Sequence, residues 1–215
     1  MSKNLKLSAV LIAVAVVVIA ALLFFTERDD SAPQPAAEGT VPTEQLVRED
    51  SRRLSEGSEA TFVEFFDFEC ESCIAIYPTV EELRAQYGDR VSFVVRHMPL
   101  HSNSVNAALA AEAAGEQGEV EEMYQKLFET DQEWGHQPTS QKDTFFGYAE
   151  DMGLDMERFQ ADFDDPATLA RVEQDQQDAQ AVGVTGTPTF FLDGQRLQPT
   201  SVDDLKASIE AALND

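Results

Sequence analysis

Hydrophobic residues form three kinds of pattern along this chain, and the first is an unbroken apolar run near the amino end. Residues 7–25 contain neither a charge nor a proline. A helix of this length covers roughly 28 Å, which is close to the thickness of the hydrocarbon core of a bilayer. Two lysines precede the run and acidic residues outnumber basic ones just after it, so the amino end should stay in the cytoplasm and the rest should face outward.

We interpret residues 1–28 as a cytoplasmic tip and an uncleaved transmembrane anchor. The alternative is a cleaved signal peptide, after which the protein would be secreted. Signal peptides carry apolar cores of about 7 to 15 residues followed by small residues, whereas this run ends in bulky side chains at 22–25. Residues 29–50 are rich in Ala, Pro and Glu, which predicts a semi-extended linker and a folded domain over residues 51–215.

The second pattern consists of short continuous apolar runs, which are typical of strands buried on both faces. They occupy residues 61–68 (TFVEFFDF) and 91–95 (VSFVV). Between them Ile76, Val80 and Leu83 recur at helical spacing, and Gly88 supplies the stop. Strand, helix and strand in close succession predict a βαβ unit with two parallel strands.

The third pattern is helical and extends from residue 101 to residue 183. Helices are predicted over 104–116, 119–130, 140–152 and 155–163, and a last helix begins at a capping Asp165 and ends before Gly183. A crossover between parallel strands needs only about a dozen residues, so a stretch this long predicts an inserted helical subdomain. Residues 189–197 then predict a hairpin that turns at Asp193 and Gly194, and 201–213 a closing helix.

Charge narrows the possible partners. The chain has 40 acidic and 15 basic side chains, a formal net charge of -25. Such a field repels phosphates, which argues against nucleic acid as a partner. The acidic residues are spread over the whole chain, and we expect a protein that works at high ionic strength, where salt screens the self-repulsion. The alternative is an acidic surface that only aids solubility.

The two cysteines are the strongest candidates for chemistry. Cys70 and Cys73 are one helical turn apart where the first predicted strand meets its helix, so their side chains share a face and could form a disulfide. The amino end of a helix favours a thiolate, which predicts that Cys70 attacks and Cys73 resolves. Half a zinc site and an inert disulfide are the alternatives. A zinc site usually needs four ligands, and the chain has no second cysteine pair and three histidines, so no metal or cofactor is expected.

Glu64 interrupts the first apolar run six positions before Cys70. Burial should raise the pKa of its carboxyl, which could then exchange a proton with Cys73. A salt-bridged or edge-exposed glutamate is the alternative. Trp134 either packs in a loop or lines a substrate surface. No role is predicted for His97 and His101, which flank a proline.

The combination of F-x-x-F-x-C-x-x-C, a Glu six before the first cysteine, a helical insertion, and T-P-T-F-F with a hairpin resembles the thioredoxin superfamily, and within it the bacterial DsbA-like oxidoreductases. The resemblance covers residues 51–215. It implies an α/β thioredoxin fold with a helical insertion over about 101–183, here preceded by one transmembrane helix. It also implies that Cys70 is the nucleophile and Cys73 the resolving thiol, that Glu64 is the buried acid, and that Pro188 is a cis-proline beside Thr187, whose backbone pairs with an extended substrate.

Two features depart from the strongly oxidising members. Glu71 and Ser72 stand where those members have proline and histidine, and Glu69 adds a second anion beside Cys70, so the pKa of the attacking thiol should be less depressed. The expected function is an extracytoplasmic thiol-disulfide oxidoreductase that acts on cysteine-containing proteins and is recycled by a membrane redox partner. The direction of exchange stays open. The alternatives are a non-redox peptide-binding or chaperone module and a glutathione-dependent transferase or isomerase.

Overall fold

The computed structural model describes residues 40–214. The predicted anchor at 1–28 and residues 29–39 of the predicted linker lie outside this range. None of the helices that are described has both the length and the apolar character needed to cross a membrane.

The described residues build one five-stranded sheet around the predicted βαβ unit. Its strands are β1 (Arg52–Arg53), β2 (Ala60–Phe66), β3 (Val91–His97), β4 (Thr189–Leu192) and β5 (Gln195–Arg196). The order across the sheet is β1-β3-β2-β4-β5. β2 lies parallel to β3 and antiparallel to β4, so the predicted parallel pair and the predicted hairpin are both confirmed. The hairpin turns through positive φ at Asp193 and Gly194, as the sequence predicts.

The helices are α1 (Thr43–Leu46), α2 (Glu71–Tyr87), α3 (Ser104–Gly115), α4 (Val120–Glu129), α5 (Asp131–Trp134), α6 (Lys142–Asp151), α7 (Met156–Asp164), α8 (Pro166–Ala181) and α9 (Val202–Ala212). The fold is therefore a mixed α/β thioredoxin-like fold, and α3 to α8 form the predicted helical insertion. α8 begins as predicted, because the Asp165 side chain accepts a hydrogen bond from the Ala167 N–H.

Alternation along β2 sends its side chains into two separate cores. Phe62 and Phe66 face the larger core, which contains both cysteines and the helices of the insertion. Val63 and Phe65 face a smaller core on the opposite side of the sheet. Glu64 has the same parity as Phe62 and Phe66, so it points into the larger core, beneath the amino end of α2.

The sequence predicts that the folded domain begins at Ser51, but in the structure it begins about ten residues earlier. The Val41 N–H donates to the Gly194 carbonyl at 2.8 Å, and Leu46 is fully buried in the smaller core. The buried Arg96 side chain donates to the Leu46 carbonyl. Residues 41–50, placed in the linker from their composition, thus pack on the domain, because single apolar residues at 41 and 46 fill sites that other elements create.

Candidate active site

The two cysteines lie where β2 ends and α2 begins. Cys70 is the N-cap residue of α2, with ψ of 118°, and Cys73 lies in its first turn. Both are free thiols; Cys70 is 8% exposed and Cys73 is 1% exposed. One sulfur can therefore be reached from solvent and the other is enclosed by the larger core.

Local hydrogen bonds make Cys70 a strong acid for a thiol. The hydrogen bond from the Cys73 thiol contributes most, and it outweighs burial to lower the pKa of Cys70 from 9.0 to about 5. The backbone N–H groups of Ser72 and Cys73 act in the same direction, as expected at the start of a helix. The Thr187 side chain lowers the pKa of Cys70 further. Its buried hydroxyl has no hydrogen-bond partner among the described residues.

Cys73 has the opposite electrostatic environment. Its hydrogen bond to Cys70, its burial and the charge of Glu64 all raise the pKa of this thiol above its usual value. At neutral pH the pair therefore consists of an outer thiolate and an inner thiol. This division is the one that an attacking and a resolving cysteine require.

Glu64 is buried, as its place in the apolar strand predicts, at 2% exposure. Burial first, then the charges of Glu81 and Cys70, raise the pKa of its carboxyl from 4.5 to about 8. Its Oε2 atom has no hydrogen-bond partner within residues 40–214. The carboxyl is thus a proton donor or acceptor poised near neutral pH in the core that encloses Cys73.

The loop before β4 completes the site. The bond between Thr187 and Pro188 is cis, as the resemblance implies. The Cys70 sulfur lies 3.3 Å from the Thr187 carbonyl oxygen, to which it donates a hydrogen bond when it is protonated. Pairing of β2 with β4 brings these residues together although they are far apart in sequence. All five predicted site residues are therefore collected at one end of the sheet, and their chemical roles stay predictions.

A ring of polar contacts around Cys70 was not predicted. Asp67 is the centre of this ring and is fully buried. Its carboxylate accepts hydrogen bonds from the Leu100 N–H (2.7 Å), the Glu69 N–H (2.8 Å), the Ser104 hydroxyl (2.5 Å) and the His101 ring (Nδ1, 2.7 Å). Asp67 thus holds the loop between β3 and α3 close to the segment that leads into Cys70.

Glu69 has a similar structural task. Its carboxylate accepts hydrogen bonds from the Asn103 N–H (2.6 Å) and the His136 N–H (2.8 Å), and it lies 3.0 Å from the Ser104 oxygen, whose single proton is shared with Asp67. From the sequence alone, Glu69 is expected only to add a charge beside Cys70. The missed signal is the pair of acids in D-F-E directly before the first cysteine, because two carboxylates beside an apolar strand need partners from other segments.

The remaining candidates have packing roles. Trp134 is fully buried, its ring packs edge-on against Phe145, and its Nε1 donates to the Leu127 carbonyl at 3.1 Å. The packing interpretation is therefore confirmed. His97 is buried and lies 3.1 Å from Glu112. Within residues 40–214 no group of three or more His, Cys, Asp or Glu side chains is arranged to hold a metal ion.

A family model described as thioredoxin matches residues 55–211, most of the described domain. This chain belongs to the thioredoxin family. Among solved structures, this thioredoxin-family chain is similar to a thioredoxin-like oxidoreductase from Silicibacter pomeroyi DSS-3, with a TM-score of 0.67 and 28% identity over 80% of this chain and 98% of that one. DsbA-like structures share the fold. Wolbachia pipientis alpha-DsbA1 has a TM-score of 0.70 at 16% identity (81% and 96% covered), and Bacillus subtilis BdbD has 0.63 at 23% (85% and 100% covered).

Curated relatives of this thioredoxin-family chain are much longer proteins. The Na(+)/H(+) antiporter NhaA of Herminiimonas arsenicoxydans is 41% identical over 149 residues, which are 69% of this chain and 23% of the antiporter. NhaA 3 of Salinispora tropica is 37% identical over 184 residues, 83% of this chain and 27% of that protein. The chain thus spans about a quarter of the length of these relatives.

Proposed function

We propose that this thioredoxin-family protein exchanges disulfides with cysteine-containing proteins outside the cytoplasm, through Cys70 and Cys73. One observation carries the proposal: two thiols one helical turn apart have opposite pKa shifts, and a protonatable carboxyl is buried in the same core. A structural disulfide or a packed pair of thiols has no need of this arrangement. The extracytoplasmic location rests on the apolar run at 7–25 and on the charge difference across it.

In the direction that oxidises a client, a client thiolate attacks the Cys70 sulfur of the Cys70–Cys73 disulfide. A bond forms between the client sulfur and Cys70, the Cys70–Cys73 bond breaks, and Cys73 leaves as a thiolate that takes the proton of Glu64. A second client thiolate then attacks the first client sulfur, which forms the client disulfide and releases Cys70 as a thiolate. The client loses two electrons and the protein gains them.

The reverse sequence reduces a client disulfide. The Cys70 thiolate attacks one client sulfur and the other leaves as a thiolate. Cys73 then gives its proton to the Glu64 carboxylate and attacks Cys70, so the protein disulfide forms and the first client sulfur leaves.

Two observations support disulfide donation as the physiological direction. A pKa of about 5 at Cys70 stabilises the reduced protein, which makes its disulfide more oxidising. A pKa of about 8 keeps Glu64 largely protonated at neutral pH, ready to protonate the departing Cys73. A membrane oxidase would then restore the protein disulfide, and cysteine-containing exported proteins would be the clients.

Trapping of a mixed disulfide tests the proposal. Cys73→Ser removes the resolving sulfur. Incubation of this variant with a reduced, unfolded client and an oxidant should therefore yield a covalent adduct on Cys70 that a reducing agent cleaves. Cys70→Ser is the matched control and should give no adduct, because Cys73 is buried and its pKa is raised. Absence of an adduct with Cys73→Ser, in folded protein, would contradict the proposed function.

A further inference from the structure

The Asp67–His101 pair adjoins the start of α2, because the Cys70 N–H donates to the Asp67 carbonyl at 3.1 Å, and the mechanism above does not use this pair. His101 Nδ1 is 2.7 Å from Asp67 Oδ2, and Asp67 is fully buried while the imidazole is 32% exposed. Three further hydrogen bonds hold the Asp67 carboxylate in place, so the ring that binds it has a fixed position. A histidine anchored to a buried carboxylate is oriented and electrostatically prepared to hold a positive charge.

The groups that face His101 come from three segments of the chain. Asp67, Glu69 and Cys70 lie between β2 and α2, and each favours the imidazolium when it is ionised. His136, in the loop after α5, places its ring edge-on to the His101 ring at a centroid distance of 5.3 Å. Glu71, in the first turn of α2, lies 3.3 Å from His136.

Together, these surrounding groups favour the charged form of His101. Burial alone would lower the pKa of His101, but the hydrogen bond and charge of Asp67, together with the charges of Glu69 and Cys70, raise it above its ordinary value of 6.5. The pKa of Cys70 lies at about 5. Between these two values the reduced site therefore contains a thiolate and an imidazolium at the same time.

We propose that His101, oriented by Asp67, is a positioning residue that stabilises the Cys70 thiolate through space and thereby favours the reduced protein. The inference rests on the proposed function and assigns part of its driving force. The dipeptide between the cysteines, Glu71 and Ser72, has no cation to offer. In this protein the cation comes from the loop between β3 and α3, which the acids of D-F-E hold against the site.

Thermodynamic linkage makes the proposal reciprocal. If the imidazolium lowers the pKa of Cys70 by a given amount, the thiolate raises the pKa of His101 by the same amount. Oxidation to the disulfide removes the thiolate charge. The pKa of His101 in the native protein should then be higher in the reduced form than in the oxidised form. This difference should equal the rise in the pKa of Cys70 when the imidazole is replaced.

The sign of the pH dependence follows from the same two groups. Below about pH 5 the thiol is protonated and the interaction is absent. Above the raised pKa of His101 the imidazole is neutral and the interaction is lost again. The extra stabilisation of the reduced protein is therefore confined to the acidic-to-neutral window between these limits.

His101→Asn is the decisive variant, because asparagine keeps a neutral donor near the place of Nδ1 for Asp67 and removes the charge. Thiolate absorbance of reduced protein should show the pKa of Cys70 raised by about half a unit or more. Within this pH window the change corresponds to about a threefold shift of the redox equilibrium, or about 15 mV at 29.6 mV per tenfold change. Arg90→Gln is the matched loss of one positive charge, since Arg90 precedes β3 at the opposite end of the sheet from Cys70. It should leave the pKa of Cys70 unchanged.

A second measurement needs no substitution. Imidazole NMR titration of the wild-type domain in both redox states should give a higher pKa for His101 in the reduced form. Equal values in the two states, or an unchanged pKa of Cys70 in folded His101→Asn, would overturn the inference. The outcome is separable from the fate of the proposed function, because Cys73→Ser would still trap a client if only the role of His101 were wrong.

Discussion

At the scale of single residues, Glu64 is placed where its charge is costly. Its pKa of about 8 means that the folded state resists ionisation, whereas the unfolded chain ionises near 4.5. A raised carboxyl pKa leaves stability intact at low pH and removes it as pH rises from 4.5 through 8. The residue is retained in an apolar strand at this cost, which is consistent with a role in proton transfer.

We expect Glu64→Gln to stabilise the domain in a pH-dependent way. The gain should be near zero at pH 4.5 and on the order of 3 kcal/mol by pH 8, at 1.36 kcal/mol per pKa unit and reduced by local relaxation. Urea unfolding of both proteins at these two pH values measures it. In the reductive direction the same variant should release clients from mixed disulfides at least about 100-fold more slowly, because Cys73 then attacks Cys70 without a base and proton transfer typically contributes that much. A release rate equal to or above that of the wild-type protein would contradict the assigned role of Glu64.

The pKa of Cys70 leads to a second prediction. Thiolate absorbance of the reduced domain should rise with a midpoint near pH 5, and Cys70→Ser should abolish this transition. Because the pKa is depressed on folding, the stability that the thiolate gives to the reduced form is present above pH 9 and is lost as pH falls towards 5. A midpoint near 9 would show that the local hydrogen bonds do not act on Cys70 as described.

The site residues that the sequence reveals lie close together along the chain, whereas those it does not reveal are brought together only by the fold. Cys70, Cys73 and Glu64 belong to one short segment, so spacing alone places them together. Asp67 and His101 meet only because the chain returns through β3, and no spacing rule records that contact. This is why the acid and histidine contacts around the site were missed.

At the scale of elements, the short apolar strands of the domain and its helices of nine or more residues were predicted correctly because each contains its own sequence signal. β1, α1 and α5 lack such a signal, since they have two, four and four residues. β1 exists because Arg52 and Arg53 pair with β3. Short elements of this kind are defined by the surface on which they pack, not by their own sequence.

α1 provides a test of that idea. Leu46 is fully buried, and its removal should leave a cavity in the smaller core. Leu46→Ala should lower the free energy of unfolding by about 2 to 5 kcal/mol. Leu169→Ala on α8, where the leucine is 38% exposed, is the matched control and should change stability by less than about 1 kcal/mol. Equal effects of the two substitutions in urea unfolding would show that residues before 51 are not part of the folded core.

At the scale of the whole molecule, charge is distributed in two ways. Two ion pairs lie in or at the edge of the core: Arg96 with Asp175 at 2.7 Å, and Glu112 with Arg52 at 2.8 Å. The much larger acidic excess, a net charge of -25, repels itself through solvent that salt can screen.

We therefore expect the melting temperature of the folded domain to rise between dilute buffer and molar sodium chloride. Sodium chloride screens long-range repulsion with little effect on buried pairs, so the rise should appear mostly below about 0.5 M, where the Debye length shortens most. Thermal unfolding across a salt series measures this. A flat or falling melting temperature would leave the acidic composition as an aid to solubility alone.

The buried indole of Trp134 gives the domain its own optical reporter. It is the only tryptophan in the chain, it is enclosed by the insertion, and it stands two positions before His136, whose N–H binds Glu69 beside Cys70. Its emission therefore follows the helical half of the molecule, whereas thiolate absorbance follows the sheet half. Superposition of the two signals during denaturation is the property of a single cooperative unit, and separation of them would reveal two.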